Sequence, residues 1–388
     1  MPLLIVSGLA GIAVLVLVLL GLLRLVAVRQ ARLRNAVGEA APYAVAPVAA
    51  ALHERLFVAD LHADSLLWAR NLAHRSRDGH IDLPRLREAN VALQVFASVT
   101  QVPAGLNFDR NSSRRDLITL LAVAQGWPPR TWGSRFERAR YAADRLHRLA
   151  ARDGRVLVVE KACDLEELAT RRRHDPEVIG ALLAIEGCQA LDGRLENLDR
   201  LYDAGFRMIG LQHFFDNEAG GSAHGRSHGG LTAFGRELVW RIQLRRMVLD
   251  LAHSSPAVVD DVLALATAPV FVSHTGLRAT SEGPRNLSDD HARGVAATGG
   301  LLGIAMFEPA VGGPTVDDTA LAMRYAADLV GVEHVALGTD FDGAVRTPVD
   351  VTGLPVLTHA LMRHGFGEPE IALIMGGNVQ RVLRQILA

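Results

Sequence analysis

Eight short apolar runs recur between residues 57 and 341, and six of them end on or beside a His, Asp or Glu. The runs are 57–64 (FVADLHAD), 91–99 (VALQVFASV), 180–186 (GALLAIE), 206–213 (FRMIGLQH), 246–253 (RMVLDLAH), 269–275 (PVFVSHT), 300–306 (GLLGIAM) and 335–341 (VALGTDF). Amphipathic helical text separates them, as in RFERARYAADRLHRLAARDG at 135–154. Strands that alternate with helices imply βαβ units and a parallel sheet. Eight units predict a (β/α)8 TIM barrel with insertions, and a doubly wound sheet is the other arrangement the pattern allows. The longest insertion, residues 100–179, falls between the second and third runs.

The run ends carry the chemistry. His62 and Asp64 close the first run, Glu186 the third, His213 the fourth, His253 the fifth, His274 the sixth and Asp340 the eighth. Residues two apart on a strand share a side, so His62 and Asp64 aim at one spot. In a (β/α)8 barrel all C-terminal strand ends meet at one mouth. Any one of these residues alone reads as a turn, cap or hydrogen-bonded core group. Together they are costly to bury without partners, and metal ions partner imidazoles and carboxylates readily. The chain has two cysteines, Cys163 and Cys188, which cannot form a thiolate metal site. A His/carboxylate set suits zinc, and also manganese, iron or cobalt. A carboxylate that bridges two ions is typical of two-metal hydrolysis of amides, esters or phosphoesters. Lys+Arg of 41 against Asp+Glu of 42 gives a net charge of −1, which argues against a nucleic-acid partner.

The N-terminus has another character. PLLIVSGLAGIAVLVLVLLGLL, residues 2–23, holds no charged side chain, and about 20 apolar residues span a bilayer as a helix. No Lys or Arg precedes the run, which favours an uncleaved transmembrane anchor at 1–28 over a signal peptide. Arg24, Arg29, Arg32 and Arg34 follow it, so the positive-inside rule places the chain as a single-pass cell-membrane protein with a cytoplasmic catalytic domain. Residues 29–54, Ala- and Pro-rich, read as a linker whose last turns are helical, and 55–388 as the barrel domain.

The motifs DLHAD, IEG, GLQHFFDNEAGGSAHGRSHGGLTAFGRELV, LDLAHSS, PVFVSHTG, RNLSDD, LGTDFDG and GGN (376–378), in this order, resemble those of the membrane dipeptidase (renal dipeptidase) family of binuclear zinc peptidases. The resemblance runs from about residue 57 to the C-terminus. It implies one zinc held by His62, Asp64, Glu186 and Asp340, and a second held by Glu186, His253 and His274, with Glu186 bridging. It implies that His213 is no ligand but polarises the scissile carbonyl, and that Arg285 binds the substrate carboxylate. The substrate would be a free dipeptide, with a D-residue allowed at the C-terminal position, hydrolysed by a metal-bridging hydroxide. A planar Arg fork suits a carboxylate, and Asp340 can also pass a proton to the leaving amine. A homodimer is compatible with this reading. Where the family commonly has Gly and His after IEG, this chain has Cys188 and Gln189. His224 and His228 are surplus to the ligand set and read as solvated loop residues. Residues 100–179 match no assignable motif and are expected to form a substrate-side lid.

Two other readings stay open. Another binuclear amidohydrolase-type barrel, acting on a cyclic amide or lactone, would commonly show an HxH pair on its first strand and a carbamylated Lys bridge; here the pair is His62 and Asp64 and the bridge Glu186. A non-enzymatic, membrane-tethered peptide-binding protein would have lost ligands, and none is missing.

Overall fold

The computed structural model describes the backbone of residues 2–388, and the side chains of residues 14, 15 and 17–388. Among the described residues there are nine strands: β1 (Val58–Ala63), β2 (Val91–Val99), β3 (Val156–Val158), β4 (Ile179–Glu186), β5 (Phe206–Gly210), β6 (Val248–Asp250), β7 (Val270–Thr275), β8 (Leu301–Ile304) and β9 (Val335–Leu337). All pair in parallel, in the order β2-β1-β9-β8-β7-β6-β5-β4-β3, and β2 also pairs with β4. That last pairing closes eight strands into a barrel. Every residue of β1, β2 and β4 is buried, as expected of strands covered on both faces. Alternate residues serve different cores: Leu93, Val95 and Ala97 join one apolar cluster and Phe96 another.

The ninth strand was not expected. β3 pairs with Ile179–Ala181 of β4, while β5 takes Leu183–Ile185. Since β2 occupies the other edge of β4 throughout, β3 and β5 share the remaining one. β3 therefore props the base of the barrel without entering the ring of eight.

Several strands stop earlier than their apolar runs. β5 ends at Gly210, β6 at Asp250 and β9 at Leu337, so His213, His253 and Asp340 stand in the loops beyond them. His253 and Asp340 adopt left-handed backbone, with φ of 63° and 61°. Non-glycine residues pay a steric cost there, which concentrates at functional turns.

The N-terminal helix runs from Pro2 to Arg34. Most of the apolar run expected to be an anchor covers residues 1–13 and 16, whose side chains lie outside the described ones; among the described residues no helix is long and apolar enough to cross a membrane. The segment that follows is tied to the barrel. The Asn35 side chain accepts from Ala344 N at 2.9 Å, and Gly38 N donates to Thr347 O at 2.7 Å. A short helix, Pro47–His53, buries Ala49, Leu52 and His53. The His53 ring bridges Thr358 Oγ1 at 2.7 Å and Ala89 O at 3.0 Å.

Candidate metal centre

The barrel mouth gathers all seven strand-end residues and Arg285. His62, Asp64, Glu186, His213, His253, His274, Arg285 and Asp340 are each 7% exposed or less. Glu186 is the hub. Its Oε1 lies 3.1 Å from His253 Nε2, 3.4 Å from His274 Nε2 and 3.6 Å from His62 Nε2, and its Oε2 lies 3.5 Å from His213 Nε2. His62 Nε2 is also 3.5 Å from Asp64 Oδ1 and 4.0 Å from Asp340 Oδ1. Three sets each bring ligand atoms within 4.8 Å of one another: His62, Asp64 and Glu186; His62, His274 and Asp340; and Glu186, His213 and His253.

These groups satisfy one another only in part: His253 Nε2 meets Glu186 Oε1 at 3.1 Å. His62 Nε2, Asp64 Oδ1 and Glu186 Oε2 are buried without a hydrogen-bond partner. Burial pushes Glu186 well above the usual carboxylate range, with Asp64 adding to it and His62 opposing. Burial raises Asp340 as well. Burial holds His253 and His274 well below the ordinary imidazole value, and neighbouring Arg285 and rings add to that. Burial would lower His62 too, but Glu186 and Asp64 outweigh it and lift the ring to about 10. Burial takes His213 down to about 4. A cation among these atoms would favour ionised carboxylates and neutral imidazoles together. The orphaned atoms and the donor set thus fit a metal.

Further residues orient the cluster, and they were missed in the sequence. Asp60, buried within β1, accepts from Gln94, Thr339 N and Thr339 Oγ1, each at 2.8 Å. Asp250, at the end of β6, accepts from Ser273 N at 2.8 Å and Ser273 Oγ at 2.7 Å. Ser273 Oγ in turn meets His274 Nδ1 at 2.8 Å. Such partners fix the tautomer and orientation of metal-binding imidazoles. Their signal was an ionisable residue inside an apolar run, in VADLH and VLDLAH.

Arg285 sits in the loop after β7 and donates to His274 O. It is buried, with Asp340, Glu186 and Asp250 as its charged surroundings. Cys188 is buried, its thiol pushed up by burial, and it contacts Asn217 Oδ1 at 3.4 Å, so it is a packed side chain. His228 is exposed, as expected. His224 is not: it is 0% exposed. The insertion reaches the centre at two points, since His213 Nδ1 lies 3.3 Å from Gln101 O and His224 Nδ1 2.7 Å from Phe108 O.

A closed parallel barrel with a buried imidazole and carboxylate centre at its mouth defines the metal-dependent hydrolase class. The family model for "Membrane dipeptidase (Peptidase family M19)" matches residues 47–388, and the chain belongs to that family. Dipeptidase verJ of Clonostachys rogersoniana is 33% identical over 54% of this chain and 55% of its own length, so the match spans about half of that relative. Dipeptidase aclJ of Aspergillus oryzae is 27% identical over 86% of this chain and 78% of its own. A metallopeptidase from Rhodobacter sphaeroides, solved with a phosphinate mimic of the dipeptide L-Ala-D-Ala, shares the fold at a TM-score of 0.68. It is 24% identical and covers 85% of this chain and 99% of its own.

Proposed function

We propose that the protein is a dizinc dipeptidase that recognises the free carboxylate of its substrate. The observation that carries this reading is the enclosed Arg285 guanidinium beside a carboxylate-rich cluster with unpartnered ligand atoms. His62, Asp64, Glu186 and Asp340 would hold one ion, and Glu186, His253 and His274 the other. Divalent ions in these positions would polarise a carbonyl and make water acidic enough to attack it. Arg285 would pair with the C-terminal carboxylate and fix the distance from it to the scissile bond. His213 would polarise the carbonyl oxygen as it gains charge; with its Nδ1–H given to Gln101 O, Nε2 can donate only from the protonated ring, a form that negative charge developing on that oxygen would favour. Asp340 would carry the proton to the departing amine. The dipeptide mimic bound by the Rhodobacter protein supports a dipeptide substrate and the acceptance of a D-residue at its C-terminal position.

The apolar stretch 2–23, followed by Arg24, Arg29, Arg32 and Arg34, supports a single-pass anchor with the barrel on the cytoplasmic side.

Substrate length tests the mechanism. A tripeptide places its carboxylate roughly 3.5 Å further from the scissile bond, so dipeptides should be cleaved, and tripeptides and dipeptide amides ignored. Losing a buried charge-assisted pair costs about 2–5 kcal/mol. Arg285→Ala should therefore lower kcat/KM on a dipeptide by roughly 30-fold or more, without loss of metal. Wild-type rates on dipeptides in that variant would remove the carboxylate-recognition role.

A further inference from the structure

His62, His253 and His274 each turn Nε2 toward Glu186. An imidazole that gives one nitrogen to a metal carries its hydrogen on the other, and that N–H needs an acceptor. His274 Nδ1 has Ser273 Oγ at 2.8 Å, and His62 Nδ1 has the same oxygen at 3.5 Å. His253 Nδ1 is buried with no partner.

His224 has the complementary deficiency. Its Nδ1 lies 2.7 Å from Phe108 O. A carbonyl oxygen only accepts, so Nδ1 bears the hydrogen, and Nε2 of the neutral ring is left as an acceptor. That Nε2 is also buried with no partner. The His224 and His253 rings stand edge to face, with centroids 5.3 Å apart and planes at 66°. An orphaned donor and an orphaned acceptor thus lie on adjacent buried rings, and each is costly while unmade. The His224 ring is held from both sides: Phe214 stacks on it at 4.7 Å and Phe108 meets it edge-on at 5.5 Å. Its backbone is held too, because Asn111 N and Nδ2 donate to His224 O at 2.8 and 3.1 Å.

The geometry points to His224 as a positioning residue for the metal centre: its Nε2 accepts the Nδ1–H of His253 through one bridging water, and so keeps the His253 Nε2 lone pair on the metal position. The relay runs from Phe108 O through His224 to His253. It makes the 100–116 segment of the insertion part of the metal site, although none of its residues is a ligand. Bridging by one water is energetically close to a direct bond.

This inference rests on the metal reading above, and the test separates the two. Full-length protein in detergent is stripped of metal and titrated with zinc against a chromophoric chelator; a second sample is loaded with cobalt and its visible absorption recorded. The wild type should take up two ions. His224→Phe keeps the ring shape and the stacking on Phe214 but offers no acceptor, so it should weaken one ion by about 10–100-fold and shift the cobalt spectrum. His224→Gln places an amide oxygen near the Nε2 position and should recover most of the affinity. Wild-type zinc affinity and an unchanged cobalt spectrum in His224→Phe would overturn the proposal. If that variant does not fold, His224→Gln and His224→Met decide the same point. Both fill the space, and the Gln amide oxygen is a strong acceptor where the Met thioether is a weak one, so equal zinc affinities would overturn it. A wild type that binds no divalent ion would remove the metal reading and this inference with it.

Discussion

At the scale of single residues, the centre is a set of groups that satisfy one another only in part. Glu186 faces four imidazoles within 3.6 Å and leaves Oε2 without a hydrogen bond. If it bridges two ions, Glu186→Gln should lose most of both, measured as bound metal per chain after gel filtration. Retention of two ions would show that the bridge lies elsewhere. Ser273 links Asp250 to His274 and approaches His62. Ser273→Ala should therefore weaken metal binding by about 10–100-fold, as loss of an orienting partner does, and an unchanged zinc affinity would assign Ser273 to packing. The seven strand-end residues were legible because ionisable groups closing apolar runs break an otherwise simple pattern. Asp60, Asp250 and Ser273 were not singled out, since their partners lie on other strands: Gln94 and Thr339 are far from Asp60 in sequence. His224 was misread as solvated because a glycine-rich loop looks open until Phe108 and Asn111 of the insertion close over it.

At the scale of elements, the barrel strands were read within a few residues, while the insertion was opaque. β3 spans three residues, too few for any periodicity to register, and it sits between charged neighbours in DGRVLVVEK. The fold of the insertion turns on one cation. The Arg138 side chain is 2% exposed. It donates to Thr131 O and Thr100 O at 2.7 Å each and to Trp132 O at 3.0 Å, and it pairs with Asp116, which caps the helix Leu117–Ala124. Arg138→Met keeps much of the volume but strands three carbonyls and a carboxylate. Breaking a buried pair by removing one partner typically costs about 3–5 kcal/mol. Because Thr100 adjoins Gln101, whose carbonyl meets His213, the same change should also disturb the mouth. Urea unfolding should show a loss of about that size, and dipeptide hydrolysis should fall even where the chain remains folded. Full activity with full stability would show that the insertion does not depend on this side chain.

At the scale of the whole molecule, the question is where the barrel stops needing the residues before it. The sequence marked 29–54 as a linker, because Ala and Pro carry no periodicity; yet this stretch is fastened to the barrel at Asn35, Gly38 and His53. The described side chains of the helix before it include Ala27, which is buried, and Ala31, which packs on the cluster around Trp68 and Trp127. Arg32 pairs with Asp78, but 67% of the Arg32 side chain is exposed, and pairs of that kind contribute about 0–1 kcal/mol. A chain lacking residues 1–34 should therefore fold and hydrolyse dipeptides at the full-length rate, and should leave the membrane fraction if the apolar stretch is the anchor. Removing 1–54 should behave differently. It deletes buried Leu52 and Ala49, leaves Thr358 and Ala89 O without the His53 ring, and frees the Asn90 amide from the carbonyls of His53 and Glu54. Losing a buried Leu alone costs about 2–5 kcal/mol, so this chain should unfold at lower urea or fail to accumulate. Carbonate extraction and urea titration of the two truncations, side by side with the full chain, separate anchoring from folding. Equal stability of both would mean that the barrel is complete from residue 55, while a Δ1–34 protein that stays with membranes would place the membrane contact on the barrel itself.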